Sequence, residues 1–236
     1  WLMDGGRPRY QGMQDHGTDG GLTGLHDDGG LPTHNFKEGQ FDDAVAVTGK
    51  TMTDTILVAR PTCYSCVVRC KRAVEIKEGP YATDRKWGGP EYETVGAVGT
   101  NCGIGDLAAI SKANEICNAM GMDTIGAGMM VSFAMECFEN GVITEKDTGG
   151  VPLPFGSAPA LVAMADQTAR GITLPGERGA FDEVSGVLHE VRGDTTASSL
   201  FFVQHQVFAR ITVSGPQHLT LLPLYAEKAR AKAGNR

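Results

Sequence analysis

Three cysteines, Cys63, Cys66 and Cys70, lie in the run Pro61-Thr-Cys-Tyr-Ser-Cys-Val-Val-Arg-Cys-Lys71. Thiolates select soft metals, and a Cys-x-x-Cys-x-x-x-Cys string approximates the loops that wrap one face of a four-iron, four-sulfur cube. The string names a cofactor class and leaves a fourth ligand to be found. Zinc and a redox Cys-x-x-Cys pair are the alternatives. Structural zinc usually pairs two knuckles, and no second Cys/His pair follows at finger spacing. A thioredoxin-like pair needs a βαβ context that the sequence does not supply. Lys71 and Arg72 come next in the chain, either to offset a cluster's negative charge or simply to be solvated.

Two further constellations carry chemistry. In Gly89-Pro-Glu-Tyr-Glu-Thr94, Glu91 and Glu93 straddle a tyrosine between a Gly/Pro-rich loop and an apolar segment. Acids there are either partners of a helix dipole or, if one is forced into an apolar cleft, a general acid or base. In Asn118-Ala-Met-Gly-Met-Asp123 the glycine permits close backbone approach, and Asn118 and Asp123 offer acceptors to a ligand bearing ring or amino N–H groups. The plainer reading is that Gly121 caps one helix and Asp123 the next.

Elements to position these residues follow from periodicity. Leu107, Ile110, Ala113, Cys117 and Met120 form one stripe, predicting a helix over 106–120, and Ile125, Met129, Phe133 and Cys137 repeat at i+4 to predict a second, closed by Asn140-Gly141. A third helix is expected over 158–170 and another over 219–232, with 200–203 as a short strand. Phe41, Ala44 and Val47 suit a short helix, and 72–76 a brief strand. The Gly- and Asp-rich first forty residues read as loops with little core of their own. The fold class expected is therefore mainly α, a multihelical domain with irregular loops, in three parts: a loop-rich connection at 1–37, a helical domain at 38–170 and a divergent segment at 171–236.

Composition excludes several classes of partner. A net charge of -7 over 236 residues disfavours nucleic acid and anionic membrane, which need clustered Lys and Arg. No apolar run approaches the roughly 20 residues that span a bilayer. Cys102, Cys117 and Cys137 sit singly in apolar stretches, the usage of a reducing, cytoplasmic compartment. The opening Trp1-Leu-Met-Asp-Gly-Gly is neither a signal peptide nor an ordinary initiator, which reads as a fragment.

Taken in order, Gly17-Thr, Gly30-Leu-Pro-Thr-His-Asn-Phe36, the cysteine loop, Gly89-Pro-Glu-Tyr-Glu-Thr94, Asn101-Cys-Gly-Ile-Gly-Asp-Leu107 and Asn118-Ala-Met-Gly-Met-Asp-Thr-Ile125 running into Phe133-Ala-Met-Glu136 resemble the tungsten- or molybdenum-containing aldehyde ferredoxin oxidoreductases. The likeness covers about residues 12–170 and is lost beyond. It implies helical domains around a bis-pterin tungsten or molybdenum centre with a [4Fe-4S] cluster nearby, small aldehydes oxidised to carboxylic acids, and ferredoxin as electron acceptor, with self-association a further expectation. By the same resemblance Cys63, Cys66 and Cys70 hold the cluster, and Glu93 is the acid near the metal, preferred to Glu91. Asn118, Gly121, Met122 and Asp123 fall on the pterin motif Asp-x-x-Gly-Leu-Asp. Asn118 replaces its first Asp and keeps only a carbonyl acceptor, and Met122 replaces Leu at similar volume.

Other departures set what the chain does alone. The family's fourth cluster cysteine belongs to a downstream pterin motif that none of Cys102, Cys117 and Cys137 occupies, and His189, His205 and His218 give no convincing match to the catalytic histidine. The N-terminal pterin-binding domain is missing. The expectation is the middle of an enzyme, incomplete by itself; an electron-transfer iron-sulfur subunit without its own pterin site, or an inactive remnant, are the rival readings.

Overall fold

Seven helices and one small two-stranded sheet make up the described part of the computed structural model, residues 7–170. They are α1 (Arg7–His16), α2 (Leu22–Asp27), α3 (Gly49–Thr55), β1 (Leu57–Ala59), β2 (Ala73–Val74), α4 (Tyr92–Thr94), α5 (Leu107–Met120), α6 (Thr124–Glu139) and α7 (Ala158–Arg170). The mainly α class expected from periodicity is what the described residues adopt. Two compact units share these residues, one of 7–132 with 155–170 and one that includes 133–154. The strand expected at 200–203 and the helix expected at 219–232 lie outside the described residues.

Local chemistry fixes the best-predicted ends. The Asp106 carboxylate accepts the Ala108 and Ala109 N–H groups at 2.9 and 3.2 Å, satisfying donors that a helix start leaves orphaned. At the other end Gly121 takes φ 68°, and the Met122 and Gly121 amides donate to the Cys117 and Asn118 carbonyls, a Schellman closure that needs a left-handed residue. Asp123 then caps α6 by accepting the Gly126 N–H. α5 packs most extensively on α7, burying Ile110, Ala113, Leu161 and Met164 completely.

The centre of the first unit is the continuation of α4. From Val95 to Gly99 the helix widens into a π-turn and then tightens into a 3-10 turn over Thr100–Cys102, with every residue of 94–102 buried. Its polar groups are paired inward. Asn101 donates through Nδ2 to Ser132 Oγ at 2.9 Å and accepts the Phe36 N–H at 3.0 Å, while its carbonyl accepts the Asn35 N–H at 2.9 Å. Those bonds hold His34, Asn35 and Phe36 in three successive left-handed conformations, φ 48°, 54° and 62°, each costing about 1–2 kcal/mol for an L-residue.

Three expectations need correction. Residues 7–27, read as loop, hold α1 and α2 and bury Leu22, because tertiary bonds from distant side chains satisfy the end of α1. The helix expected at 41–47 is only a 3-10 turn, Ala44–Val47, although Phe41, Ala44 and Val47 are all buried as their spacing implied. Thr48 ends it by capping α3, its hydroxyl accepting the Thr51 N–H at 3.1 Å. The strand at 72–76 shortens to Ala73–Val74, antiparallel to β1.

In the second unit the turn after α6 closes on Gly141 at φ 65°, Asp147 accepts both the N–H and the hydroxyl of Thr144, and Ile143 and Leu153 are buried.

One close approach in the first unit is testable. A Cβ at Gly128 on α6 would lie 2.4 Å from the Ala97 carbonyl carbon, whereas one at Gly12 on α1 would meet nothing within 4 Å. Gly128→Ala should therefore destabilise by about 1–3 kcal/mol through overpacking, and Gly12→Ala should stabilise by about 0.5–1 kcal/mol through backbone entropy. Urea denaturation reads both, and equal effects would contradict the packing of α6 on the buried run.

Candidate functional site

The cysteine loop is tied down at both ends by cations bound to one helix terminus. Arg72, 4% exposed, donates from Nη2 to the Met13 and Gln14 carbonyls at 3.2 and 2.9 Å and from Nη1 to the Lys71 carbonyl at 3.1 Å. Arg60, before the loop, donates to the Asp15 carbonyl at 3.2 Å, and Thr53 of α3 donates to the same oxygen. These are the last carbonyls of α1, which carry the negative end of its dipole and favour cations. Gln14 also reaches mid-loop, its Nε2 donating to the Val67 carbonyl at 2.8 Å.

Within the loop the chain turns through left-handed Ser65 and Arg69, φ 55° and 56°, and the Cys66 N–H donates to the Cys63 carbonyl at 3.0 Å. Cys63 is exposed and Cys66 and Cys70 half-buried, all as free thiols. The Arg69 and Val68 amides point at the Cys66 sulfur and draw its pKa below the ordinary thiol value. Cys70 is pushed the other way, first by burial and then by Glu91, with Cys66 and Cys63 close enough to add to the effect. Three thiols on one clamped loop, one of them already bonded by backbone N–H groups, are of a donor type that suits a thiolate-held cluster. Among the described residues, no group of three His, Cys, Asp or Glu is gathered as a finished metal cage. Cys102, Cys117 and Cys137 are buried, and burial holds Cys117 up at about 11 and Cys137 at about 12.

Beside the loop lies a cleft of about 820 Å³ that gathers several of the sequence-derived residues. Glu91, Glu93 and Asn118 line it, together with Lys71, Arg72, Arg85 and Lys86. Pro90 is buried and Glu93 exposed, so the acid projects from the start of α4 while the run behind it is fixed in the core. Asn118 donates from Nδ2 to the Trp87 carbonyl at 2.9 Å and to Asn114 Oδ1 at 3.3 Å. Met122 is half-buried, and Gly121 and Asp123 are exposed in the turn between α5 and α6, whose next residues, Thr124 and Ile125, also line the cleft. A hydroxyl pair, Thr94 with Thr124 at 2.8 Å, ties α4 to that turn.

Sequence reasoning missed what stands against α4. Thr18 accepts the Tyr92 N–H at 2.9 Å and donates to Glu91 Oε2 at 3.4 Å. Asp19 beside it is 2% exposed, neither of its oxygens has a hydrogen-bond partner, and burial followed by Glu93 pushes its pKa up to about 8. An aspartate inside a glycine-rich stretch carries no signal of burial, since the same letters describe an exposed turn. Asn114, likewise unremarked, has a buried Nδ2 without a partner at the wall of the cleft. Arg72, expected either to offset a cluster's charge or to be solvated, is buried instead, because its guanidinium bonds a helix end nearly sixty residues upstream that its spacing does not reveal.

Two measurements check this geometry. Arg72→Met removes three bonds from a charged donor and leaves two carbonyls unpaired, so it should cost about 3 kcal/mol and raise hydrogen exchange at α1 and across the loop. In the metal-free chain at neutral pH, iodoacetamide should modify Cys66 ahead of Cys70, because a lowered pKa enriches the thiolate and a raised one depletes it. Peptide mapping that finds equal rates would contradict the N–H bonds to Cys66.

Residues 5–177 match the family described as aldehyde ferredoxin oxidoreductase, domains 2 and 3. A tungsten-containing aldehyde ferredoxin oxidoreductase of Thermococcus kodakarensis is 37% identical over 154 residues, 65% of this chain and 24% of that protein. The protein of the same name from Pyrococcus furiosus is 36% identical over the same shares. An aliphatic sulfonate oxidoreductase, WOR-like subunit, of Pyrococcus furiosus is 28% identical over 130 residues, 55% of this chain and 21% of that protein. The chain thus spans about a quarter of the length of the first two relatives. With the match running through the cysteine loop, α4 and the α5–α6 turn, the chain belongs to the aldehyde ferredoxin oxidoreductase family.

Proposed function

We propose that this chain contributes to an enzyme that oxidises aldehydes to carboxylic acids at a tungsten- or molybdenum-bis-pterin centre and passes the electrons through a [4Fe-4S] cluster to ferredoxin in the cytoplasm. The observation that carries the reading is the convergence on one cleft of Glu93, Asn118 and four cations, next to a clamped loop bearing three thiols. When bound, the metal centre would accept the two electrons that leave the aldehyde carbon as water adds to it.

The roles of the chain's own residues follow from their places. Glu93, exposed at the start of α4, takes a proton from the attacking water as its oxygen bonds to the carbonyl carbon. Cys63, Cys66 and Cys70 hold the cluster, with the Arg69 and Val68 amides favouring the thiolate form of Cys66. Asn118, Gly121, Met122 and Asp123 contact the pterin. Lys71, Arg85 and Lys86, which line the same cleft, suit an anionic, phosphate-bearing ligand. Among the described residues no helix is long and apolar enough to cross a membrane.

In the full-length protein purified anaerobically, Cys66→Ala should lower iron content and remove the four-iron resonance seen on reduction. An unchanged iron count in that variant would sink the assignment. Glu93→Gln should lower kcat by about 10²–10⁴ at unchanged metal and pterin content. Asp123→Ala should release pterin; retention of pterin at wild-type level would favour an electron-transfer subunit instead.

A further inference from the structure

We propose that Asp19 is the proton-bearing partner of Glu93, a carboxylic acid kept neutral in the protein interior and coupled electrostatically to the acid at the cleft. The inference rests on the reading of Glu93 given above for its catalytic meaning, but not for the pairing itself.

Burial and hydrogen bonding make the case. Asp19 is 2% exposed, and both carboxyl oxygens are without a partner. A carboxylate so placed lacks both water and donors to stabilise its charge, so the protonated form prevails. Gly49 at the start of α3 allows this burial, since a Cβ there would lie 2.9 Å from the Asp19 carbonyl carbon and 2.1 Å from the His16 oxygen. On the other side the turn is held to α4 by the Thr18 bonds to Tyr92 and Glu91.

The charged groups on the packed elements leave Glu93 as the one that acts on Asp19. His16 of α1 has a buried, unpartnered Nδ1, and His26 of α2 uses its Nδ1 to accept the Phe41 N–H. Lys50 of α3 is paired with Asp54. From α4, Glu93 disfavours ionisation of Asp19, and the Tyr92 phenol is raised by burial first and then by Glu93 and Asp19.

Burial without a partner therefore keeps the proton on Asp19, beside the acid at the cleft. When Glu93 takes the proton from water, its repulsion of Asp19 ends and the cost of ionising Asp19 falls. Asp19 acts through Glu93 and is a positioning residue rather than a catalytic one.

The test needs neither metal nor substrate. The full 236-residue chain, labelled with carbon-13 at the aspartate carboxyls, is titrated by difference infrared spectroscopy. A protonated-carboxyl band should survive at neutral pH, vanish with a midpoint near 8, and be missing from Asp19→Asn. Glu93→Gln, at an exposed position that the fold tolerates, should move the midpoint downward by removing the neighbouring charge. Absence of any Asp19-dependent band at neutral pH, or an unmoved midpoint in Glu93→Gln, would overturn the pairing. If Asp19→Asn does not fold, the Glu93→Gln titration decides by itself. Failure of the aldehyde-oxidising reading would leave the band in place, and loss of the band would leave the iron and pterin measurements as they stand.

Discussion

The guanidinium of Arg72 is the interaction on which the site depends. It is buried, charged and bound to carbonyls of α1, and its neighbours come from three separated stretches of sequence. A Cβ on Gly17 would lie 3.1 Å from Arg72 Nε and 3.2 Å from the Cys70 carbonyl oxygen, and one on Gly89 would lie 3.2 Å from Arg72 Cβ. The turn that carries Asp19, the end of the cysteine loop and the approach to Glu91 thus meet around one side chain. Removing a charge from water is costly, so this arrangement holds only while the helix carbonyls replace the lost hydration.

A second constraint acts from within. The run after Glu93 passes from α-helix through a π-turn to a 3-10 turn, entirely in the core, and such changes of pitch place backbone groups where a regular helix would not. Asn101 and Ser132 absorb the consequences by pairing with the left-handed segment His34–Phe36. Their bonds offset a local strain of several kcal/mol. Glu93 is therefore an exposed side chain on a buried base, which suits a group whose position matters to a reaction.

Electrostatics divides the site by burial. Cys66, near the surface and bonded by amides, is held toward its thiolate; Cys70 and Asp19, more enclosed and facing carboxylates, are held toward their protonated forms. A soft metal bound by these thiols would displace their protons and reverse the balance at Cys70. Cations and acids line one cleft, a mixture suited to a ligand that carries both N–H groups and negative charge.

The sequence by itself determined α5, α6 and α7, because capping residues and apolar stripes act within a few residues of the bonds they make: Asp106, Gly121 and Asp123 stand where their chemistry places them. It also determined the thiol string and the candidate acids, whose types and spacing are local facts. Only the tertiary structure decided that the glycine-rich opening folds into α1 and α2, since the bonds that complete α1 come from Thr53, Arg60 and Arg72. It likewise decided that Asp19 is buried beside Glu93, and that Asn114 and Asn118 share a cleft with the residues after the cysteine loop. The physical reason is range: a cap or a helical stripe is set by neighbours three or four positions away, whereas desolvation is set by whatever the rest of the chain brings near.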